Sequence, residues 1–315
     1  MQRTVFVFGS INADTSYRMA TLPSPGETVI ASAVSTSPGG KGANQAIAAA
    51  AAGSSTRMIG AVGGDAMAAE LLDALGARGV DTTSIVIRPG IATGRAVVCV
   101  DDSGENSIVV LSGANDTLDT RVADQGLATI AEGDVLVLQS EIPAEANRAA
   151  ARHAKAVGAT VIWNAAPAPA TAADLVRDID LLVVNEHELT RISGILGIGA
   201  EDSGFVAPGE LLAAVAHALG ADAICTLGPD GAIFHTDGQS GSVSAPTVRA
   251  VDTTAAGDTV VGYLAAHSAL PVTERLRLAA SAGALTVTRA GASFSIPHLS
   301  DVERMLDALT ERTPA

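Results

Sequence analysis

Residues 135–163 read VLVLQSEIPAEANRAAARHAKAVGATVIW. The stretch opens on an apolar run, Val135–Leu138, and closes on another, Thr160–Trp163. Between them Ala144–Val157 is alanine-rich and of helical length. Short, near-continuous apolar runs suit strands buried on both faces, and a helix between two of them belongs to a parallel sheet. The rhythm extends in both directions. Val5–Phe8 and Arg57–Ala61 predict strands, and Ala66–Leu75 a helix with Asp65 placed to cap it. Downstream, Leu181–Val184 predicts a strand, Glu186–Ile192 a short helix, Leu211–Leu219 a helix and Ala223–Leu227 a strand. The expected fold is α/β, a three-layer α/β/α sandwich around a mostly parallel sheet.

Two regions break the rhythm. Glu27–Ser37 is strand-like with no helix beside it. Thr93–Leu111 reads as a hairpin, Val97–Val100 and Ile108–Leu111 around a turn at Asp102-Ser103-Gly104. Four short antiparallel strands fit a small sheet off the main body, of the kind that serves as a lid or a dimer surface. The chain is thus expected to be one α/β domain over 1–315, with lid strands inserted at about 12–37 and 92–112. Gly194–Pro208 reads as a surface loop. Ala43–Ala52 is hydrophobic all round and predicts a buried helix.

With 315 residues, 48% of them hydrophobic and 17% charged, the chain can bury a large core and is not a disordered polymer. Aromatics are only 3%, so that core must be built from Ala, Val, Leu and Ile. The formal net charge is −15, without a Lys/Arg run, which argues against a nucleic-acid or anionic-membrane partner. Any anionic substrate needs a local device to overcome that charge. Cys99 and Cys225 lie far apart in apolar stretches and read as reduced, buried thiols. The apolar start Val5–Phe8 turns polar at once, unlike a signal peptide, and no run reaches membrane-span length. A cytoplasmic protein is the expectation.

Five short motifs carry chemistry. In Val251–Thr259, a polar glycine-containing turn leads into the apolar run Val260–Ala266, so a helix N-terminus with free N–H groups falls at Ala255–Asp258. A carboxylate at the mouth of an anion site is out of place for simple phosphate binding. It suits a base that takes a proton from a hydroxyl attacking a phosphoryl group, although Asp258 reads equally as a helix cap. Gly39-Gly40-Lys41-Gly42-Ala43-Asn44-Gln45 lacks Walker A spacing. Its glycines, the Lys41 charge and the donor and acceptor of Asn44 suit a polyol, or a structural turn. Gly9-Ser10-Ile11-Asn12-Ala13-Asp14 follows the first strand, at the end where open α/β sheets bind ligands. Asn12 and Asp14, two apart, face one way in an extended segment and suit vicinal hydroxyls, or cap a turn. Asn185 and Glu188 share a helix face within reach of a hydrated Mg²⁺. Thr226-Leu227-Gly228-Pro229-Asp230-Gly231 offers backbone N–H groups to a nucleotide.

Together these motifs resemble the ribokinase-like (PfkB) carbohydrate kinase family. Both of its signatures occur in order, from GGKGANQA to IGAVGGD over Gly39–Asp65 and DTTAAGDTVVG over Asp252–Gly262. GSINAD at Gly9–Asp14, LQSEIP at Leu138–Pro143, NEHE at Asn185–Glu188 and TLGPDG at Thr226–Gly231 extend the match over nearly the whole chain. The resemblance implies transfer of the ATP γ-phosphoryl to a sugar hydroxyl. Asp258 falls on the base, and Ala255, Ala256 and Gly257 on the backbone anion hole. Sugar contacts fall on Asn12, Asp14, Gly40, Lys41, Asn44 and Glu141. ATP contacts fall on Asn185, Thr226, Gly228, Gly231 and Gly257, and Mg²⁺ through water on Asn185 and Glu188. A K⁺ site behind the anion hole falls on Asp252, Thr254, Thr286, Arg289, Gly291 and Ser295, mostly through backbone carbonyls. Ala255 stands where many relatives have Gly, and Ala280 where several have Asn or His near the nucleotide. The shortage of aromatics, with only Tyr17 near the sugar segments, favours a free sugar, ribose, over a nucleoside. The lid also implies a homodimer contact.

Overall fold

The computed structural model describes residues 3–103, 105–199 and 207–311. In chain order the elements are β1 (Thr4–Phe8), β2 (Asn12–Arg18), β3 (Ala33–Gly39), α1 (Lys41–Ala51), β4 (Ser55–Gly63), α2 (Ala66–Ala77), β5 (Val80–Arg88), β6 (Gly94–Val100) and β7 (Asn106–Leu111). There follow α3 (Thr120–Gly126), β8 (Val135–Leu138), α4 (Ala144–Ala156), β9 (Thr160–Asn164), β10 (Leu181–Asn185), α5 (Glu186–Ile195), α6 (Pro208–Leu219) and β11 (Asp222–Thr226). The chain closes with β12 (Ala232–Thr236), β13 (Gln239–Val243), α7 (Ala256–Ala266), α8 (Val272–Thr286) and α9 (Leu299–Glu311). Nine strands form the main sheet in the order β13-β12-β11-β10-β9-β8-β1-β4-β5. It is parallel except for the hairpin that adds β12 and β13 at one edge.

Both faces of the sheet are covered, as the unbroken apolar strands require. Val5 and Val7 of β1 point into a core with α1, α2, α7, α8 and α9. Phe6 and Phe8 point into a second core with α3 to α6. Trp163, fully buried, belongs to the second. The alanines let helices approach the sheet and one another closely. The tightest contact is at Gly262 of α7, where a Cβ would lie 2.4 Å from the Ala48 Cβ of α1 and 2.7 Å from the Ala49 backbone nitrogen. Only a glycine permits that spacing.

Strand order reverses beside β1: β4 and β5 extend one way, β8 to β11 the other. The carboxyl ends of β1 and β8 therefore open a crevice at a topological switch point, where α/β sheets take ligands. From this edge the chain builds the second sheet, ordered β3-β2-β6-β7. It is not wholly antiparallel as expected, because β2 and β6 pair in parallel. Each continues from the carboxyl end of a main-sheet strand, β1 and β5, and so leaves in the same direction. β3 and β7 are the antiparallel returns. Of the strand expected at Glu27–Ser37, only the part from Ala33 pairs, since β2 ends at Arg18, opposite Ala33. Gly104 of the hairpin turn lies outside the described residues. Of the loop expected at Gly194–Pro208, Gly194 and Ile195 end α5, Pro208 opens α6, and 200–206 lie outside the described residues. Among the described residues no helix is long and apolar enough to cross a membrane.

Two buried side chains root the small sheet. Thr93 takes the Gly63 N–H on its Oγ1 at 2.9 Å and donates that hydroxyl to Asp65 Oδ1 at 2.6 Å, while its own N–H goes to Asp65 Oδ2. Asp65 also caps α2 through the Ala68 N–H, so one carboxylate joins a helix start to a lid strand. Asn115, just past β7, accepts from the Ile11 N–H at 3.0 Å and donates to Asn12 Oδ1 at 2.8 Å.

Candidate active site

The N-terminus of α1 has no side-chain cap of its own, because Gly40 holds that place. Its free N–H groups find partners across the crevice. Lys41 N–H donates to Glu141 Oε2 at 3.0 Å, Gly42 N–H to Ser10 Oγ at 3.2 Å, and Ala43 N–H to the Ser10 carbonyl at 3.0 Å. Ser10 Oγ in turn donates to Glu141 Oε2 at 2.6 Å. The loops after β1 and β8 thus cap the helix that carries Lys41 and Asn44, and a carboxylate at that end also meets the favourable pole of the helix. One Glu141 oxygen is committed to this cap, and the other remains for a ligand.

Asp258 lies in the first turn of α7 and is almost fully buried. Both carboxylate oxygens accept from side chains of α1: Oδ2 from Asn44 Nδ2 at 3.0 Å, and Oδ1 from Gln45 Nε2 at 2.9 Å. The N-terminal amides of α7 have no side-chain cap. Ala256 N–H turns back to the Thr253 carbonyl at 3.3 Å, and the amides of Gly257 and Asp258 are left free. A Cβ on Gly257 would meet nothing within 4 Å, so space for an anion lies directly against these donors. Ala255 sits at the N-cap with φ 62°, a left-handed conformation that costs a non-glycine residue about 1–2 kcal/mol. The turn that exposes the amides needs it.

Asn12 and Asp14 share one face of β2, as the alternation predicts. Because Asn115 Oδ1 accepts from a backbone N–H, its Nδ2 must face Asn12 Oδ1, and Asn12 is left with its amide donors for a ligand. Asp14 packs so closely on Gly39 that a Cβ there would lie 1.9 Å from its Oδ2. Buried Oδ1 atoms of Asp14 and Asn44 have no hydrogen-bond partner. Two such acceptors beside Asp258 fit the hydroxyls of a polyol, whose O–H groups would satisfy them. Burial, then the charges of Glu141 and Asp258, pushes the Asp14 carboxyl up to about 7. Lys41 is raised as well: the Asp258 carboxylate holds its ammonium above the usual lysine range, against the opposing effect of burial.

Asn185 caps α5 in a reciprocal box with Glu188: Glu188 N–H donates to Asn185 Oδ1 and Asn185 N–H to Glu188 Oε2, both at 2.8 Å. This leaves Asn185 its Nδ2 donors and Glu188 one carboxylate oxygen. Burial raises the Glu188 carboxyl. Lys41, Asn164, Asn185, Glu188, Gly257 and Asp258 line one cavity of about 230 Å³. A second, of about 450 Å³, shares Thr226 and Gly257 with it and runs past Gly228 and Gly231 to Val260, Ala280 and Val287. A polar chamber and an apolar slot thus meet at the N-terminus of α7, which suits phosphates in the first and a flat base in the second. A third groove, about 630 Å³, lies at the amino ends of β10 and β11, where Lys155 pairs with Asp180, and none of the motif residues reaches it.

The residues expected around a K⁺ ion come together in two touching loops. Asp252 accepts the Thr254 N–H and hydroxyl on Oδ1 and the Gly291 N–H on Oδ2. Burial raises its carboxyl, but these hydrogen bonds outweigh that and hold it below the usual range. The hydroxyl of Ser295 bonds the Ala292 carbonyl, Thr286 Oγ1 lies 3.0 Å from Thr259 Oγ1, and Arg289 N–H donates to the Thr286 carbonyl. Arg78 braces the second loop by donating to the carbonyls of Ser293 and Ile296. With the side chains spent locally, what the loops offer a cation is carbonyl oxygen.

Sequence reasoning did not single out Ser10, Gln45, Asn115, Gln139 or Asn164. Each acts through a partner tens of residues away, and only the polar type inside an apolar run hinted at them. Gln45, in an otherwise alanine-rich helix, was the clearest such signal.

The pfkB family carbohydrate kinase pattern matches residues 2–299. The ribokinase of Haemophilus influenzae is 36% identical over 310 residues, covering 98% of this chain and 99% of that protein. The ribokinase of Schizosaccharomyces pombe is 37% identical over 311 residues, covering 95% and 96%. The structure of Arabidopsis thaliana ribokinase complexed with ribose and ATP superposes with a TM-score of 0.84 at 31% identity, over 97% of this chain and 99% of that one. On sequence, fold and site together, the chain belongs to the pfkB family of carbohydrate kinases and is an ATP-dependent sugar kinase.

Proposed function

We propose that the chain phosphorylates D-ribose at O5, with Asp258 as the base and the N-terminus of α7 as the anion hole. The observation that carries this reading is the joint position of Asp258: one end of its surroundings is the free amides of Gly257 and Asp258, the other the unsatisfied acceptors of Asp14 and Asn44. A sugar held by Asn12, Asp14, Gly40, Lys41, Asn44 and Glu141 would present a hydroxyl to the Asp258 carboxylate. An aspartate is far too weak a base to form an alkoxide beforehand. It orients the hydroxyl and takes the proton as the O–P bond forms, while the amides face charge on the moving phosphoryl group.

ATP fits with its base in the apolar slot by Ala280 and its phosphates against Gly257, near Thr226, Gly228, Gly231 and the Asn185 Nδ2 donors. Among the described residues no group of three or more His, Cys, Asp or Glu is arranged to hold a metal. Asn185 and Glu188 would instead hold a Mg²⁺ ion through water, beside the place the phosphates take. It supplies charge neutralisation when bound. K⁺ would sit between the 252–254 and 286–295 carbonyls and stiffen the turn that aims the amides.

A free sugar is favoured over a nucleoside because Tyr17 lies on the opposite face of β2 from Asn12 and Asp14, with its ring turned away from them. Deoxyribose, fructose and a keto-deoxy acid are the remaining acceptors, and a non-catalytic sugar-binding protein the remaining class. We take the excursions at about 12–37 and 92–112 as one lid on a single domain. Its outer face carries Val34, Val97, Val109 and Leu111, all substantially exposed, and suits a second copy of this chain. The two free cysteines suit a cytoplasmic enzyme.

Asp258→Asn is expected to keep ribose binding and lose turnover by ~10²–10⁴-fold; near-normal ADP release from ribose and ATP would sink the assignment, and ribose-independent release would sink the acceptor. An acid whose pKa is raised on folding adds stability below its unfolded value of ~3.9 and loses it as the pH climbs toward the folded value. For Asp14 that window ends at about 7. The ligand-free Asp14→Asn variant should therefore gain Tm over the wild type, by more at pH 8 than at pH 5, while its ribose KM rises at least ~10-fold; equal Tm values at pH 8 would show an unstrained carboxylate. Replacing K⁺ by Li⁺ should lower the rate or weaken ATP binding, and no response to the swap would argue against the cation loops. Val109→Asp should turn a dimer into a monomer in sedimentation, and a dimer that survives the change would move the contact elsewhere.

A further inference from the structure

Gln45 is fully buried and lies next to Asn44 in α1, yet no ligand contact requires it. Its side-chain amide lies within a chain of amides whose orientation is fixed from the backbone outward. The Val183 carbonyl can only accept, so the Asn164 group 3.1 Å from it is Nδ2, and Asn164 Oδ1 must face Gln45. The Gln45 atom 3.0 Å from Asn164 Oδ1 and 2.9 Å from Asp258 Oδ1 is therefore its nitrogen. Both N–H bonds of that nitrogen are spent, one on each oxygen. Gln45 Oε1 accepts from Gln139 Nε2 at 2.8 Å, which closes the amide in place. Gln45 and Gln139 are both 0% exposed, so bulk solvent does not reach these groups.

A carboxylate needs such a fixture if it is to act as a base. The last torsion of an aspartate is broad and roughly two-fold, so the plane of the carboxylate swings unless something holds it. Here two consecutive residues of one helix hold one oxygen each, Asn44 on Oδ2 and Gln45 on Oδ1. Asn44 also carries a buried, unpaired Oδ1, the acceptor the proposed function gives to a sugar hydroxyl, so its grip on Asp258 would change with the sugar. Gln45 does not face the sugar. Its other attachments are the carboxyl end of β9 through Asn164 and the loop after β8 through Gln139. It therefore ties the base to the rigid sheet independently of ligand.

We infer that Gln45 is a positioning residue for phosphoryl transfer, fixing the Asp258 carboxylate against the sheet through the Asn164–Gln45–Asp258 amide bridge. The inference rests on the reading of Asp258 as the base. A misplacement of about 1 Å at a reacting group costs on the order of 10²-fold in rate. Gln45→Met keeps the volume and removes both donors. Its kcat is expected to fall ~10–100-fold with the ribose KM changed less than ~3-fold. Gln45→Glu keeps the length and the acceptor for Gln139 but turns the group facing Asp258 into an oxygen, and is expected to lose at least as much.

The deciding measurement is a double-mutant cycle with Asp258→Asn, read by single-turnover ADP formation. If Gln45 acts through Asp258, adding Gln45→Met or Gln45→Glu to Asp258→Asn changes the residual rate less than ~3-fold. A full 10–100-fold further loss in that background would make Gln45 a general support of the fold and overturn the inference. So would a kcat within two-fold of the wild type in either single variant, or a loss carried by KM alone. Should Gln45→Met fail to fold, Gln45→Glu decides, and if neither folds, Gln45 supports the fold itself and the inference is overturned. The two readings fail separately. An active Asp258→Asn removes the base, whereas an inactive Asp258→Asn beside a fully active Gln45→Met removes only the bridge.

Discussion

The site depends on two helices touching without side chains between them. At Gly262 and Ala48 the backbones of α7 and α1 come so near that a single added carbon would collide. That contact carries the start of α7, with Asp258, to the start of α1, with Asn44 and Gln45. Both helices open their N-termini on one crevice. One N-terminus is closed by Glu141 and Ser10, the other is left with free amides. The closed one suits a neutral polyol, and the open one suits an anion.

Charge at this crevice is arranged with little slack. Glu141, Glu188 and Asp258 act on the Lys41 ammonium, and Glu141 and Asp258 also act on Asp14, in a chain already at −15. Burial first, and these charges second, push the Asp14 carboxyl up to about 7, and the buried Oδ1 atoms of Asp14 and Asn44 stay unsatisfied. Such a site is destabilising without its ligand, which is what a binding pocket looks like when stability has been given up for function. The left-handed Ala255 fits the same description. A glycine would hold that turn without strain, and the alanine holds it because the loops at 252–254 and 286–291 are cross-linked by Asp252.

Much of this was legible in the sequence because it is local. Apolar runs four residues long at Val135–Leu138 and Leu181–Val184 are strands for reasons contained in those residues. The cap at Asp65 spans three residues and is read from them, whereas the spacing of Asn185 and Glu188 predicts only a shared helix face and their reciprocal box is seen in the structure. The free N-terminus before Val260 was visible from one turn of chain. The parallel pairing of β2 with β6 was not visible, because it follows from where β1 and β5 end in the sheet. Nor was the edge hairpin of β12 and β13, whose residues are too mixed to read as strands alone.

The sequence by itself determined the layers, the ends of the strands on which ligands would gather, and the types of group available there. Periodicity and capping act over a few residues, and six motifs in family order carry the resemblance. Only the tertiary structure decided which of those groups are already spent and which are free. Glu141 caps a helix 100 residues away, Asn115 turns Asn12 into a donor, and Gln45 binds a carboxylate more than 200 residues away. Hydrogen bonds across such separations depend on how sheets and helices pack, and packing is a property of the whole chain.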